Sequence, residues 1–179
     1  MLGKAKKPLF LVGGGVNIAR AGEVFTEIVD RTKVPVVTTV MGRGAIPTNH
    51  PLYIGNLGMH GAYASNMAVN ECDLLFSIGT RFNDRITGKL HSFAPKAQIV
   101  HIDIDTAAIS KNVQVDVPIV ADAKEALEKM VEYVTACDTE EWIAKVESWK
   151  EEHPLKMKEK PIMTPQDIIE TINLSLIHI

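Results

Sequence analysis

The densest group of side chains able to do chemistry is "GTRFNDR", which places Arg81, Asn83, Asp84 and Arg85 just after Gly79. Guanidinium forks bind phosphates and carboxylates bidentately. The same residues also make a solvated loop closed by internal ion pairs, and both readings stand on spacing alone. A second group is "HIDID". Strand alternation there puts Asp103 and Asp105 on one face and Ile102 and Ile104 on the other. Asp103 can accept hydrogen bonds from a ribose or an adenine. Asp105 is better read as the cap of the turn that begins at Thr106. Asp122 in "VADA" can cap the helix that follows, stand beside an adenine, or do both.

A third group is "LFLVGGGVNIARAGEVF", an apolar run, three glycines and a helix. A dinucleotide fingerprint needs G-x-G-x-x-G and an acid at the end of the second strand, which bonds the ribose hydroxyls. Gly13 and Gly15 fit the first two glycines. The third position is Ile18, and the second strand ends in Thr38 and Thr39. An NAD site is therefore disfavoured. What survives is a glycine turn, with Gly14 at its centre, that lets backbone N–H groups approach a pyrophosphate closely.

These groups need a scaffold. Short apolar runs at Pro8–Val12, Val34–Val40, Asp73–Gly79, Gln98–Asp105 and within Val115–Asp122 read as strands. Helical spacing marks Ala21–Lys33, Ala62–Cys72 and Ala123–Thr135. Met41–Gly61 and Thr80–Ala97 read as long loops, a kind that is usually functional in a compact domain. Strands alternating with helices predict an α/β fold: three layers, a mostly parallel sheet and helices on both faces. The Gly-rich and polar loops all follow strand ends, so they gather on one edge, where such sheets bind ligands.

Charge narrows the partners. The net charge is -3 and the longest basic stretch is "KAKK", which argues against nucleic acid. No apolar run approaches the ~18 residues of a membrane span, and the N-terminus lacks a secretory signal. Cys72 and Cys137 form no CxxC, and no HExxH is present, so neither a disulfide framework nor a metal site is expected. The expected setting is cytoplasmic.

Beyond Ala136 the chain becomes charged. Trp142, Val146 and Trp149 at helical spacing predict a surface helix, then a linker ending at Pro161. "MTPQDIIETI" opens a new helix with Thr164 as N-cap and Pro165 at the first helical position. The tail "LSLIHI" is what CTG-TCT-CTT-ATA-CAC-ATC encodes, the end of a transposon adapter used in DNA sequencing. Residues 174–179 are expected to be that adapter read as coding sequence, and Met1 is not taken as the natural start.

Taken together, "VGGG", "VPVVTT-x-x-G-x-G-x-x-P", "LGMHG", "GTRFNDRITG", "HIDID" and "VPIVADA" closely resemble, in order and spacing, the middle domain of the acetolactate synthase (acetohydroxyacid synthase) large catalytic subunits. These are thiamine-diphosphate enzymes, and the resemblance runs from about Pro8 to Tyr133. It implies a Rossmann-like central FAD-binding domain over 1–136, a helix and linker over 137–163, and the start of a truncated thiamine-diphosphate-binding domain over 164–173. It implies a whole enzyme that condenses two pyruvates, or pyruvate and 2-oxobutyrate, with loss of CO2, in branched-chain amino acid synthesis. Thiamine diphosphate and Mg2+ would be held by other domains, and the isolated fragment would be inactive. The full-length subunit would be a homodimer or homotetramer with a regulatory small subunit, acting on small 2-oxoacids.

Site residues follow by motif. Gly13, Gly14 and Gly15 would lie along the FAD pyrophosphate and ribityl. Thr39, Val40 and Met41 would lead toward the flavin, with Leu57, Gly58, Met59 and His60 beside it. Gly79, Arg81, Asn83, Arg85 and Ile86 would continue the pocket. Asp103, Ile104, Asp122 and Ala123 would fall at the ribose–adenine end. Arg85 would hold the carboxylate of the second oxoacid, flanked by Met59. One departure is Asn83, where the family usually has Asp: the amide keeps an acceptor, loses charge and gains donors. Rival readings are a sister thiamine enzyme (glyoxylate carboligase or pyruvate oxidase), an NAD-dependent dehydrogenase, and a non-catalytic nucleotide-binding module.

Overall fold

The structure, a computed structural model, describes residues 1–155 and 162–176. Most of the expected linker, and the last three residues of the tail, fall outside them. The first strand, β1 (Pro8–Val12), is wholly buried and runs into a short helix α1 (Gly14–Ile18). Helix α2 (Gly22–Thr32) follows, with Phe25, Ile28, Val29 and Thr32 on its buried face; it stops at Lys33, whose φ of 60° is left-handed. Strand β2 (Val36–Thr38), strand β3 (Tyr53–Asn56) and helix α3 (Tyr63–Glu71) come next. They are followed by β4 (Leu74–Ile78), the single-turn α4 (Asp84–Thr87), β5 (Gln98–Asp103), β6 (Val117–Val120) and α5 (Ala123–Val131). The last two helices are α6 (Glu140–Glu152) and α7 (Pro165–Leu176).

The six strands form one sheet in the order β3-β2-β1-β4-β5-β6, and all its pairings are parallel. Strand β3 was not expected. Its "YIGN" is too short and too broken by Gly55 to stand out within a Gly/Pro/Asn-rich loop, and the β2–β3 register shifts beside that glycine. The order reverses between β1 and β4, so a crevice opens there at the carboxyl ends of the strands.

Alternation along β1 divides the core. Phe10 and Val12 face α2 and α5, where Phe10 meets Phe25 and Phe76 edge-on at 5.5 and 5.6 Å between ring centres. Leu9 and Leu11 face α3 and, unexpectedly, α6. Trp142 is 2 % exposed and Val146 and Trp149 are buried, so α6 is a core helix rather than a surface one. The indole Nε1 of Trp142 donates to the Pro8 carbonyl at 3.0 Å. Glu71 of α3 accepts from Lys145 at 2.5 Å and from Lys7 at 3.4 Å, and each lysine also lies over an indole ring. The charges that made α6 look solvated occupy its outer face, while its i, i+4, i+7 stripe closes the sheet. Helix α6 thus packs against the same sheet as the elements before Ala136.

Both cysteines are free and Cys72 is buried. Helix α7 continues to Leu176, three residues into the expected adapter-encoded tail. Among the described residues no helix is long and apolar enough to cross a membrane.

Candidate functional site

The turns after all six strands surround a cavity of about 830 Å³ at the carboxyl edge of the sheet. That lies within the roughly 300–1,000 Å³ usual for small-molecule and cofactor sites.

The three glycines divide by role. A Cβ on Gly13 would overlap the Gly79 carbonyl oxygen and Thr80 Cβ, and one on Gly15 would lie 2.6 Å from Gly79 Cα. The β1 turn and the β4 turn thus touch backbone to backbone, with Gly15 N–H donating to Gly79 O at 3.0 Å. Gly79 itself has φ of 59°. Gly14 and Gly15 line the cavity; Gly13 sits behind them and does not.

After β2, the Thr39 hydroxyl accepts from Gly42 N–H at 3.1 Å and starts a tight turn. The turn leaves Val40 and Met41 at the cavity mouth, Met41 74 % exposed. Asn17 pins it by donating to the Met41 and Arg43 carbonyls, each at 2.9 Å.

The turn after β3 carries Leu57, Met59 and His60 to the cavity. Gly58, at φ 105°, stays out of the lining: its missing Cβ would meet the Arg85 carbonyl oxygen, so a bare backbone is what lets the two loops approach. Asn66 holds Gly58 through its N–H at 3.0 Å and its carbonyl at 3.1 Å. Met59 N–H donates to Arg85 O at 2.9 Å, and Arg85 Nη1 lies 3.9 Å from Met59 Sδ. Two residues 26 apart in sequence therefore share one wall.

Arg81, Asn83, Arg85 and Ile86 complete that side. The spacing left an ion-paired loop open as an alternative. Among the described residues neither arginine has a carboxylate partner, and Arg81 and Arg85 are both exposed. Asn83 occupies the N-cap position of α4, but its side chain makes no capping bond.

At the opposite end, β5 stops at Asp103, two residues earlier than expected, so Asp103 and Asp105 do not share a strand face. Asp103 Oδ1 accepts the Asp105 N–H at 2.9 Å and bends the chain out of the sheet. Asp105 Oδ1 then accepts Ala107 N–H at 2.9 Å, the capping role expected of it. Ile104 is left exposed at the rim. Asp122 caps α5, accepting from Lys124 N–H at 2.8 Å and Glu125 N–H at 3.3 Å, and with Ala123 it lines the cavity.

The lining also includes Ile18, Ala19, Thr80, Ile102 and Ala121, which the motifs did not mark. Ile18 had a signal of its own: it stands where the dinucleotide fingerprint has a glycine, and it is 86 % exposed. Thr80 lies between two marked residues.

Beneath this wall, His101 is fully enclosed, with Nε2 at 2.8 Å from the Thr80 carbonyl. Burial lowers its pKa below the ordinary 6.5, against the Thr80 bond and Asp103, which raise it. The unfolded chain therefore takes up this proton more readily than the folded one. Its contribution to stability is complete above about pH 6.5 and is lost as pH falls below that. Glu71, whose pKa is lowered by the Lys145 hydrogen bond and then by Lys7, contributes above its ordinary 4.5 and loses that contribution below it. Urea midpoints measured from pH 8 to about pH 2 should fall on acidification in two steps, one below about pH 6.5 and one below about pH 4.5. His101→Gln should remove the upper step and keep the lower.

A profile of the family described as "Thiamine pyrophosphate enzyme, central domain" matches residues 1–130. The chain belongs to that family. Its relatives include a "Probable acetolactate synthase large subunit" of Methanocaldococcus jannaschii, 42% identical, with 97% of this chain covering 31% of that protein. The corresponding figures for one of Methanococcus aeolicus are 46%, 94% and 29%. For the "Acetolactate synthase isozyme 2 large subunit" of Escherichia coli they are 39%, 97% and 34%. This thiamine pyrophosphate enzyme central domain thus spans about a third of the length of the curated relatives it matches. The match supports the parallel α/β architecture and counts against an NAD-dependent dehydrogenase.

Proposed function

We propose that the chain supplies the FAD site and part of the substrate pocket of an acetolactate synthase large subunit. In this reading the enzyme joins two pyruvates, or pyruvate and 2-oxobutyrate, into a 2-aceto-2-hydroxy acid and releases CO2. The observation that carries the reading is the convergence of two separate motifs: the Met59 turn and the Arg81–Ile86 loop meet on one wall of a cavity whose floor is the glycine turn.

The residues present fit a flavin dinucleotide. The bare backbone of the glycine turn at Gly14, with Gly15 beside it in the lining, admits a close-lying pyrophosphate. Arg81 and Arg85 offer guanidinium forks without carboxylate partners among the described residues. Asp103 at the far end offers acceptors to ribose or adenine, and the exposed apolar side chains of Val40, Met41 and Met59 offer a surface for a ring system. Asn83 keeps an acceptor on the same wall. Arg85 would bind the second oxoacid through its carboxylate, with Met59 excluding water from one side. FAD would take no net part in the redox balance. Thiamine diphosphate, held with Mg2+ by other domains, supplies the electron sink for the carbanion chemistry.

Residues 164–173 fit the start of the domain that binds it. Thr164 and Asp167 cap each other reciprocally at 2.7 and 3.2 Å. Ile168, Ile169 and Ile172 of α7 are exposed in this chain, an apolar surface suited to a neighbouring domain. Residues 174–179 are adapter-encoded in this reading. The setting is cytoplasmic, and the full-length subunit acts as a homodimer or homotetramer with a regulatory small subunit.

The test is a titration of the purified 179-residue chain with FAD, NAD+ and ADP, following flavin fluorescence and melting temperature, with circular dichroism to verify folding. FAD is expected to bind in preference to NAD+, and the chain alone is expected to make no acetolactate. A preference for NAD+, or acetolactate formation by the pure chain, would overturn the reading.

A further inference from the structure

Among the described residues, three buried side-chain polar atoms lack a hydrogen-bond partner: Ser65 Oγ, Ser77 Oγ and His101 Nδ1. Two of them are neighbours, because Ser77 and His101 pair in register across β4 and β5. An apolar residue at 101 would pack the same strand without leaving a polar atom unmatched. The histidine therefore calls for an explanation from its other nitrogen.

Nε2 faces the Thr80 carbonyl at 2.8 Å. A carbonyl only accepts, so Nε2 carries the hydrogen and, in the neutral ring, Nδ1 is a bare acceptor. The Phe82 ring packs edge-on against the imidazole with centres 4.9 Å apart and fixes its plane. Asn112 does similar work two residues on, with Nδ2 at 3.0 Å from Phe82 O and 3.4 Å from Arg81 O. Three consecutive carbonyls are thus drawn toward side-chain N–H groups. Phe82 sits at φ 47° to allow this, a conformation that an aromatic residue adopts only when its surroundings hold it there.

No peptide bond here is cis, so each N–H points opposite to the carbonyl of its own peptide unit. Pinning the carbonyls of Thr80, Arg81 and Phe82 therefore turns the N–H groups of Arg81, Phe82 and Asn83 away from His101 and Asn112. None of these three N–H groups has a backbone or side-chain acceptor among the described residues. Arg81 and Asn83 line the cavity and Phe82 lies behind them, so the free N–H groups at this wall, beside the Arg81 guanidinium, are suited to an anion.

We propose that His101, assisted by Asn112, is a positioning residue for the cavity: it fixes the 80–83 backbone so that its N–H row and the Arg81 guanidinium receive an anionic group of the ligand. The positioning stands on the geometry alone; the identity of the ligand rests on the flavin reading above.

Hydrogen exchange on the ligand-free chain tests the positioning without any cofactor. The reporter amides are Met59, Ile86, Thr87 and Gly88, whose bonds end on Arg85, Asn83 and Asp84. His101→Met fills the space but donates nothing, and His101→Gln returns an N–H at similar reach. With His101→Met, exchange at the reporters should rise about tenfold or more while β1 and β4 amides hold their rates. His101→Gln should stay within about threefold of the unaltered chain. A rise spread evenly over the whole sheet, or no rise at the reporters, would reduce His101 to a core filler and overturn the proposal. If His101→Met does not fold, Asn112→Ala, at an exposed position, must produce the same localised rise or the proposal fails.

The second readout is affinity for FAD and ADP well below the melting temperature. His101→Met should weaken both about tenfold, and His101→Gln should restore them. Unchanged affinity alongside faster reporter exchange would overturn the ligand half of the proposal. Binding of neither ligand by the unaltered chain would sink the flavin reading, and exchange would still decide the positioning.

Discussion

Trp142→Ala is expected to cost about 3–5 kcal/mol of unfolding free energy, the range for truncating a buried aromatic side chain. The loss has two sources. The indole is nearly sealed between α6 and β1, meeting Trp149 edge-on at 5.9 Å. Its Nε1 is also the donor to the Pro8 carbonyl, at the start of the central strand. Trp142→Phe separates them: it keeps most of the ring and removes the donor, so it should cost about 1–3 kcal/mol. Urea unfolding followed by circular dichroism gives both values. An unchanged midpoint for Trp142→Ala would return α6 to the surface role that its charges suggest.

The second large effect separates two adjacent glycines. Gly13→Ala drives a Cβ into the Gly79 carbonyl, and the surrounding backbone is held by Gly13 N–H to Ile78 O at 2.9 Å and Gly15 N–H to Gly79 O at 3.0 Å. It should destabilise the domain by about 1–3 kcal/mol, as overpacking does. FAD affinity should fall with it, because the β1 and β4 turns must separate. Gly14→Ala meets Met41 Cβ at 3.1 Å, a contact that a shift of a few tenths of an ångström in the turn after β2 relieves. Its stability should stay within about 0.5 kcal/mol of the unaltered chain, while FAD affinity falls roughly tenfold, or ~1.4 kcal/mol. Parallel melting and flavin titrations of the two variants check the division. The opposite pattern would make Gly14 the structural residue and Gly13 the ligand-facing one.

The sheet was legible wherever burial leaves a mark on the local pattern. β1 and β4 are buried on both faces; β1 reads as an unbroken apolar run, and β4 as one interrupted only by Ser77. α2 repeats its apolar residues with a helix's period. β3 left no such mark, because an edge strand of four residues containing Gly55 buries too little to impose alternation. α6 was misread for the opposite reason: its Trp142, Val146 and Trp149 stripe was visible, but glutamates and lysines outnumber it. Only the tertiary structure reveals that the far face of the sheet needs a cover there.

The candidate site was legible as motifs and not as geometry. Arg85 and Met59 were both marked, yet no local pattern says that their loops bond to each other. Gly13 and Gly58 were marked as ligand contacts. Both are points where one loop's backbone crosses another's, and sequence cannot distinguish room for a ligand from room for a carbonyl. His101 went unmarked because its role depends on a carbonyl 21 residues away.

The bond between Trp142 and Pro8 links positions 134 apart. During translation at about 5–20 residues per second, β1 would leave the ribosome roughly 7–27 s before its cover. Leu9, Leu11 and Leu75 lie on the sheet face that α6 will seal, so a nascent domain would carry an open greasy flank for that whole interval. Chaperone capture should therefore depend on translation speed between the codons for β5 and α6. Synonymous changes that slow this stretch would lower soluble yield without altering the finished molecule.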